Sequence, residues 1–264
     1  MKRILLTSLE FGKSYGVDRA ICDLIIAGRL SAVGCSVTGP MWTKEFYQLR
    51  DVVEWAEHST QVGLTVSLTK NAMPVTDFGR QKFGEEFPTE NFYRARAPLN
   101  LLPIDLLSAE IAVQIDMFEN VYSRAPAFIA MQDNLARFPA IADIMIQVVK
   151  LMKGREPVLV APKASGRVVH RFMQKAEKQG LETIRSGPSL PLPLRDDEEL
   201  RDFFWNSLNN ADDQTMVFCS PSYPEEISPT KRERKWSNYR QNQLNFLRGE
   251  EFPFLLMEKD IFLF

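Results

Sequence analysis

Two carboxylates of this sequence follow predicted strands and could take part in chemistry. Glu10 lies in the loop TSLEFG (7–12), directly after the apolar run RILL (3–6), and Asp133 follows a later apolar run. Loops at the carboxyl ends of parallel strands carry the active sites of α/β barrels and doubly wound sheets. Two carboxylates placed there could divide the roles of acid and base if their surroundings separated their pKa values.

Oxygen atoms of other side chains stand at the same strand ends. Together with Glu10 and Asp133, Thr65 and Asn134 could coordinate a hard ion such as Mg²⁺ or Ca²⁺, which prefers oxygen ligands. The simpler interpretation of Asp133 is that it caps a turn or faces solvent. The remaining strand ends carry Pro162-Lys163, Ser186 and Ser220, which are polar and unremarkable.

Several kinds of site are excluded by residue types. The sequence contains two histidines, His58 and His170, and both fall on or at the end of predicted helices. A metal site or catalytic triad built on histidine therefore has almost no residues to draw on, and no GxSxG stretch is present. The sequence also lacks GxGxxG and GxxxxGK[ST], so we expect no loop that cradles nucleotide phosphates.

Composition limits the partners and the compartment. A formal net charge of −2 gives no reason to expect nucleic-acid binding. The three cysteines, Cys22, Cys35 and Cys219, form no CxxC pair and indicate a reducing compartment. No apolar run approaches the roughly 18 residues that would span a membrane, and the amino terminus does not read as a signal peptide. We therefore expect a cytoplasmic protein without a membrane span.

Strand and helix patterns alternate along most of the chain. Apolar or β-branched runs predict strands near residues 3–7, 35–38, 62–68, 127–131, 158–161, 181–184 and 216–219. Amphipathic spacing predicts helices between them, as in 14–27. Such alternation favours parallel strands joined by right-handed crossovers. The sequence therefore predicts one α/β domain over 1–264, a distorted (β/α)7-type TIM-like barrel.

Residues 70–103 interrupt this alternation with four prolines and two glycines, so we expect a long loop insertion there. Loops of this length inside a compact domain are usually functional. The aromatic residues Phe83, Phe87, Phe92 and Tyr93 make it a candidate interface. Equally, these rings could cover the barrel mouth or pack a satellite core.

Several segments resemble the YdjC/ChbG family of carbohydrate deacetylases. LTSLEFGKSYGVDRAI (6–21) resembles the family's LTADDFGLSPGVNRAI, and VGLTVSLT (62–69) resembles VGLHLVLT. PAFIAMQDNLARFP (126–139) aligns without gaps with a segment like PTHIDGHQHVHLLP, and MVFCSPSY (216–223) is similar to the stretch that reads MVHPGY. The resemblance covers nearly the whole chain in family order, and it implies the barrel fold.

The resemblance also implies a chemistry, the divalent-metal hydrolysis of an N-acetyl group on an amino sugar. One Asp of an Asp-Asp pair would act as base, the other Asp and two histidines would hold the metal, and a histidine of the HPG segment would act as acid. In this sequence the corresponding positions hold, in chain order, Leu9, Glu10, Thr65, Gln132, Asn134, Ala136 and Ser220. Asp133 occupies the spacer position between two of the family's histidines.

These replacements lead to the main hypothesis. Neutral threonine, glutamine and asparagine oxygens are weak ligands for zinc or nickel, and a leucine cannot accept a proton. We predict a deacetylase-like pseudoenzyme without cofactor, metal or catalytic residues, acting as a binding, scaffold or complex subunit. The alternative is a divergent metal-dependent carbohydrate deacetylase whose rewired oxygen ligands hold Mg²⁺, Zn²⁺ or Ni²⁺.

The partner is less well defined by the sequence. We expect a homo-oligomer or a protein-complex subunit, and the apolar end IFLF (261–264) would be an interaction patch if exposed or would close the barrel if buried. An amino sugar or oligosaccharide could occupy a retained cleft without turnover. Trp42 is the one obvious aromatic platform for such a ligand, although it could equally pack in the core.

Overall fold

Eight strands and ten α-helices alternate in the computed structural model, which describes residues 2–190, 196–209, 212–224 and 231–263. The strands are β1 (Lys2–Phe11), β2 (Ala32–Cys35), β3 (Gln61–Val66), β4 (Phe128–Met131), β5 (Val158–Val160), β6 (Thr183–Ser189), β7 (Thr215–Cys219) and β8 (Ile261–Leu263). The helices are α1 (Tyr15–Ile26), α2 (Trp42–Trp55), α3 (Asp77–Phe83), α4 (Glu90–Arg96), α5 (Ile104–Tyr122), α6 (Pro139–Lys150), α7 (Gly166–Lys178), α8 (Asp197–Asn209), α9 (Lys231–Arg248) and α10 (Glu251–Glu258). Two 3₁₀ helices lie at Ala97–Leu99 and Gln132–Arg137.

The first seven strands close into a barrel. They pair in parallel in the order β2-β3-β4-β5-β6-β7-β1, and β1 also pairs with β2, which closes the ring. This confirms the predicted α/β barrel. The eighth strand, β8, pairs with residues 2–4 at the start of β1. It lies on the same edge of β1 that β2 occupies from Thr7 onwards. The apolar carboxyl end is therefore part of the sheet through a buried Ile261, while Phe262 is exposed and Phe264 lies outside the described residues.

Side chains alternate between the two faces of the barrel wall, which explains the unbroken apolar run of β1. Leu5 points into the barrel interior, which is filled by Leu5, Ala32, Phe128, Ala130, Val160 and Met216. Its neighbours Ile4 and Leu6 belong to the larger core between the wall and the surrounding helices. Burial on both faces is the usual state of a parallel strand, and alternate residues then line each face.

The prediction of a strand at 35–38 is wrong, because β2 ends at Cys35. Ser36 donates its backbone N–H to Phe11 O, and the chain then turns so that Gly39 N donates to Ser36 O. The paired strand contains small residues such as Ala32 and Gly34. The β-branched residues that led to the strand prediction lie in the turn after it. Packing of the barrel interior thus overrides local β-propensity here.

The connection at 70–103 is not a loop without regular structure. It contains α3, α4 and the 3₁₀ helix Ala97–Leu99, and the two α-helices have seven residues each, too few to show a periodic pattern. Phe87 and Tyr93 are buried, and Phe83 and Phe92 pack against the same core. The interface hypothesis is therefore wrong for Phe87 and Tyr93, which extend the core instead.

Trp42 is likewise a core residue and not a platform for a ligand. Its side chain is 0 % exposed, and its indole stacks on Phe118 with ring centroids 5.6 Å apart. The aromatic edge of Phe11, at the end of β1, meets the same ring at 6.5 Å. This residue therefore joins α2, α5 and β1.

Trp42→Ala should lower the free energy of unfolding by about 3–5 kcal/mol, because it removes a fully buried aromatic side chain. The matched control is Trp55→Ala, since Trp55 is 87 % exposed. That control should change stability by less than about 0.5 kcal/mol. Urea denaturation followed by far-UV circular dichroism measures both values. Equal losses in the two variants would contradict the core position of Trp42.

Candidate functional site

A cavity of about 370 Å³ opens at the carboxyl ends of the barrel strands. We call it the mouth cavity. It brings together every residue that the family resemblance singled out, although they come from four different strand ends: Leu9, Glu10, Thr65, Gln132, Asp133, Asn134, Ala136 and Ser220. The structure therefore brings the positions that the resemblance singled out together at one edge of the barrel.

The two histidines do not contribute to the mouth cavity. His170 is exposed on α7, and His58 is exposed three residues beyond the end of α2, so neither is among the residues that line it. Cys219 does line the cavity. Burial raises the pKa of its thiol well above its ordinary value, so it remains protonated and is a poor nucleophile.

Glu10 is held by two cations at the end of β1. Its Oε1 accepts from Lys13 Nζ at 3.1 Å and from Arg240 Nη2 at 2.9 Å. The β1–β2 register shifts between Ser8 and Phe11, and such bulges change the direction of side chains near the ends of strands. Arg240 belongs to α9 and reaches the site from 230 positions further along the chain.

These cations determine the charge state of Glu10, whose side chain is only 15 % exposed. Burial alone would raise the pKa of the carboxyl, but the charges of Lys13 and Arg240 and their hydrogen bonds lower it to about 2. Glu10 is therefore ionised at neutral pH. Its second oxygen, Oε2, is buried and accepts no hydrogen bond from the part of the chain that is described.

Leu9 and Thr65 occupy the wall of the cavity beside Gly34 of β2. A Cβ built on Gly34 would lie 2.3 Å from Thr65 Oγ1 and 2.7 Å from Leu9 Cδ2, so only glycine fits between them. Thr65 Oγ1 is buried without a hydrogen-bond partner among the described residues. The family's base position is thus an apolar contact in this chain.

Gln132 is hydrogen-bonded to two neighbouring side chains. Its Oε1 accepts from Ser67 Oγ at 2.6 Å, and its Nε2 donates to Thr69 Oγ1 at 3.3 Å. Ser67 is in turn fixed by Gln114 of α5, whose amide both accepts from Ser67 N and donates to Ser67 O at 2.9 Å. A side chain held in this way has its orientation determined by the fold.

Asn134 pairs with the backbone of the next strand end. Its Nδ2 donates to Lys163 O at 2.7 Å, and its Oδ1 accepts from Lys163 N at 2.9 Å. Asp133 and Asn134 both have a positive φ, 52° and 55°, a conformation that Asp and Asn adopt more readily than most residues. Asp133 is exposed, and its Oδ2 accepts a hydrogen bond from Thr69 Oγ1 at 2.5 Å, in the segment that follows the neighbouring strand β3.

Ser220 stands where the family's acid would be. Its backbone N–H donates to Gln243 Oε1 at 2.8 Å, and Gln243 Nε2 donates to Leu190 O at 3.1 Å. Gln243 therefore ties the end of β7 to the segment after β6. No histidine is among the residues that line the cavity around Ser220.

The donors of the mouth cavity do not fit the metal that the fold family implies. Within the described ranges, no group of three or more His, Cys, Asp or Glu side chains is placed to hold a metal ion. The amides of Gln132 and Asn134 already make directed hydrogen bonds, and the carboxylate of Glu10 is neutralised by two cations. Zinc and nickel sites require imidazole, thiolate or free carboxylate donors.

Lys13 and Arg240 are the important residues that sequence reasoning missed. Lys13 is three positions from Glu10, a spacing that could have predicted the pair. Arg240 lies in a helix whose sequence, YRQNQL (239–244), resembles a family segment, but nothing local links it to Glu10. Only the closure of the barrel brings these side chains together.

Solved structures of other proteins share this fold. A protein from Enterococcus faecalis V583, with a proposed role in cellobiose-phosphate cleavage, has a similar structure with a TM-score of 0.77, 14 % identity and coverage of 100 % of this chain and 97 % of that chain. The catalytic domain of a peptidoglycan N-acetylglucosamine deacetylase from Eubacterium rectale ATCC 33656 is similar with a TM-score of 0.51 and 7 % identity, covering 99 % and 87 %. At such low sequence identity, the similarity of the structures shows the fold alone.

The sequence itself matches the model of the YdjC-like protein family over residues 3–258. The chain therefore belongs to the YdjC-like family, as the resemblance predicted. No curated protein matches it significantly. Of the helices within the described residues, none combines the length and apolar character needed to cross a membrane.

Glu10→Gln should remove a pH-dependent part of the stability. Because the pKa of Glu10 falls from 4.5 to about 2 on folding, its contribution is complete above pH 4.5 and is lost as the pH falls towards 2. One pKa unit corresponds to roughly 1.4 kcal/mol, so the shift contributes about 3 kcal/mol to the free energy of unfolding at neutral pH. More than half of this contribution should be lost near pH 3. Urea denaturation of wild type and variant between these pH values measures the difference.

Glu54→Gln is the matched control, because Glu54 pairs with Arg124 at 3.4 Å on the surface. An exposed pair of this kind contributes about 0–1 kcal/mol, so the control should show little pH-dependent difference from wild type. If the difference in free energy of unfolding between wild type and Glu10→Gln stayed constant from neutral pH to about pH 3, the depressed pKa of Glu10 would be contradicted.

Proposed function

We propose that this chain is a non-catalytic member of the YdjC-like family that acts by binding and has no metal-dependent deacetylase activity. The observation that carries the proposal is the ion pair of Glu10 with Arg240 and Lys13, at 2.9 and 3.1 Å. Glu10 is the sole acidic residue at the family's metal and base positions, and these cations already neutralise it.

Electrostatics opposes a divalent ion at this carboxylate. An ion bound to Glu10 would have to displace Arg240 or lie beside two positive charges, in a partly buried site where repulsion is poorly screened. The other family positions offer Thr65, Gln132 and Asn134, which are neutral, and the amides of the last two are engaged. These positions therefore supply no compensating attraction, and Asp133 is the one further carboxylate among the residues that line the cavity.

The protonation states also oppose metal-free acid–base chemistry at the family positions. A carboxyl with a pKa of about 2 is a weak base and is not an acid at neutral pH, where efficient catalysts have pKa values near the working pH. Leu9 cannot carry a proton, and Ser220 has no imidazole beside it in the cavity. The rewired hydrolase therefore remains the second candidate, supported by Asp133 alone.

The retained mouth cavity supports binding of a small polar ligand without turnover. Its volume of about 370 Å³ is of the size used for small-molecule sites, and hydroxyl and ammonium groups of Ser186, Ser189, Ser220 and Lys163 line one side. An amino sugar or short oligosaccharide presents hydroxyl groups that such donors and acceptors could bind. We propose this ligand class for the cavity, in a cytoplasmic protein that forms an oligomer or a complex.

Calorimetric titration with Zn²⁺, Ni²⁺ and Mg²⁺ tests the central proposal. We expect no stoichiometric binding to wild type, and the same result for Glu10→Ala, because neither offers a competent donor set. Acetate release from an N-acetylated chitooligosaccharide should be equal in the two proteins and indistinguishable from the buffer rate. One ion per chain that binds wild type and not Glu10→Ala, with matching acetate release, would establish the hydrolase instead.

A further inference from the structure

Exposed apolar side chains stand at the ends of four helices, on the face of the barrel opposite the mouth. The barrel strands are all parallel, so the helix after each strand runs back, and its last turn lies beside the amino-terminal end of the next strand. We call this the amino-terminal face. Ile26 ends α1, Trp55 ends α2, Leu151 caps α6, and Met257 is in the last turn of α10, which leads into β8.

These four side chains are unusually accessible for their size. Trp55 is 87 % exposed, Leu151 76 %, Met257 68 % and Ile26 64 %. Of the other large apolar side chains described, only Leu99 is more exposed than Ile26. Single exposed apolar residues are common, but four on one face, two of them adjacent, indicate a surface that another molecule covers.

The ends of α1 and α2 form an acidic sector of this face. Ile26 and Trp55 line a shallow cavity of about 440 Å³ together with Asp51 and Glu57. Both carboxylates are exposed, and neither forms an ion pair within the described residues. No lysine or arginine is among the residues that line this cavity. The acidic sector therefore presents apolar surface flanked by negative charge.

The ends of α6 and α7 form a basic sector of the same face. Leu151 lines a cavity of about 470 Å³ with Lys150 and Lys178. The one carboxylate that lines it, Asp143, is already paired with Lys175 at 2.5 Å. Lys150 and Lys178 are exposed and form no ion pair within the described ranges. The basic sector therefore presents an exposed leucine flanked by positive charge.

The two sectors lie on nearly opposite sides of the barrel. The acidic sector adjoins the starts of β2 and β3, and the basic sector adjoins the starts of β5 and β6, three strands away in a ring of seven. A twofold axis between the sectors places the acidic sector of one copy over the basic sector of another, at two equivalent contacts. A partner of one charge would complement only one sector, whereas a second copy complements both.

We propose that two copies of this chain associate back to back through their amino-terminal faces. The acidic sector of each copy meets the basic sector of the other, and the exposed apolar side chains are covered between them. Both mouths stay open, at opposite ends of the dimer. This inference rests on the proposed function for the expectation of an oligomer, and it does not depend on whether the mouth binds a metal.

The arrangement also has the extent that a stable dimer needs. An interface that includes both sectors covers the part of the face between them, and specific interfaces bury about 800 Å² per partner. Trp55 is covered in the dimer and exposed in the single chain. The small effect expected for Trp55→Ala on unfolding therefore applies at protein concentrations where the chain is monomeric.

Sedimentation velocity over a range of concentrations tests the dimer with two charge-reversal variants. Asp51→Lys/Glu57→Lys places like charges at both contacts, and so does Lys150→Glu/Lys178→Glu. We expect each variant alone to dimerise at least about tenfold more weakly than wild type. An equimolar mixture of the two variants should dimerise like wild type, because both contacts of the mixed pair again join opposite charges.

Two control variants make the same charge changes on the connection between β3 and α5, at the mouth end of the barrel. Glu85→Lys/Glu86→Lys and Lys70→Glu/Lys82→Glu alter exposed positions only. Both should dimerise like wild type. The four positions of the test variants are also exposed, so the far-UV circular dichroism of every variant should match that of wild type.

Three results would overturn the proposal, and they differ in what they mean for the proposed function. A wild-type protein that stays monomeric would remove the homo-oligomer as well and leave the complex subunit. A dimer that both charge-reversal variants retain would keep the oligomer and place its contact elsewhere. A dimer that the variants weaken and their mixture does not restore would show that the two sectors do not meet. The metal titration tests the mouth separately from all three.

Discussion

The ion pair between Glu10 and Arg240 is the interaction that determines the charge and arrangement of the barrel mouth. It joins the end of β1, the strand that closes the barrel, to α9 near the carboxyl end of the chain, and Lys13 completes it. Removing one partner of this partly buried pair leaves the other charge without its hydrogen bonds, which costs about 1–3 kcal/mol. A carboxylate that could have been a metal ligand therefore serves to hold two distant elements together.

Other side chains of the mouth cavity are also held in place by hydrogen bonds to neighbouring parts of the fold. At the positions where the family resemblance implies histidines, Gln132 and Asn134 make hydrogen bonds to Ser67, Thr69 and the backbone of Lys163. These contacts link the ends of neighbouring strands. Partly buried polar groups are stabilising when they are satisfied in this way, whereas Thr65 Oγ1 and Glu10 Oε2 are buried without a hydrogen-bond partner among the described residues.

The sequence predicted the barrel and the convergence of the candidate residues at one edge, because both depend on local patterns in chain order. Strands buried on two faces read as apolar runs, and strand ends of a parallel barrel converge on one edge. It misplaced β2, whose paired residues include Ala32 and Gly34, and it missed the short helices within 70–103. It also could not pair Glu10 with Arg240, because their contact arises only from barrel closure over 230 positions.

Crystals of the wild-type protein soaked in Zn²⁺ and measured at the zinc absorption edge would show whether the mouth cavity holds a metal ion. We expect no anomalous peak in the mouth cavity, with the carboxylate of Glu10 still bound to Arg240 and Lys13. An anomalous peak within coordination distance of Glu10, with the guanidinium of Arg240 displaced, would show that the mouth binds zinc.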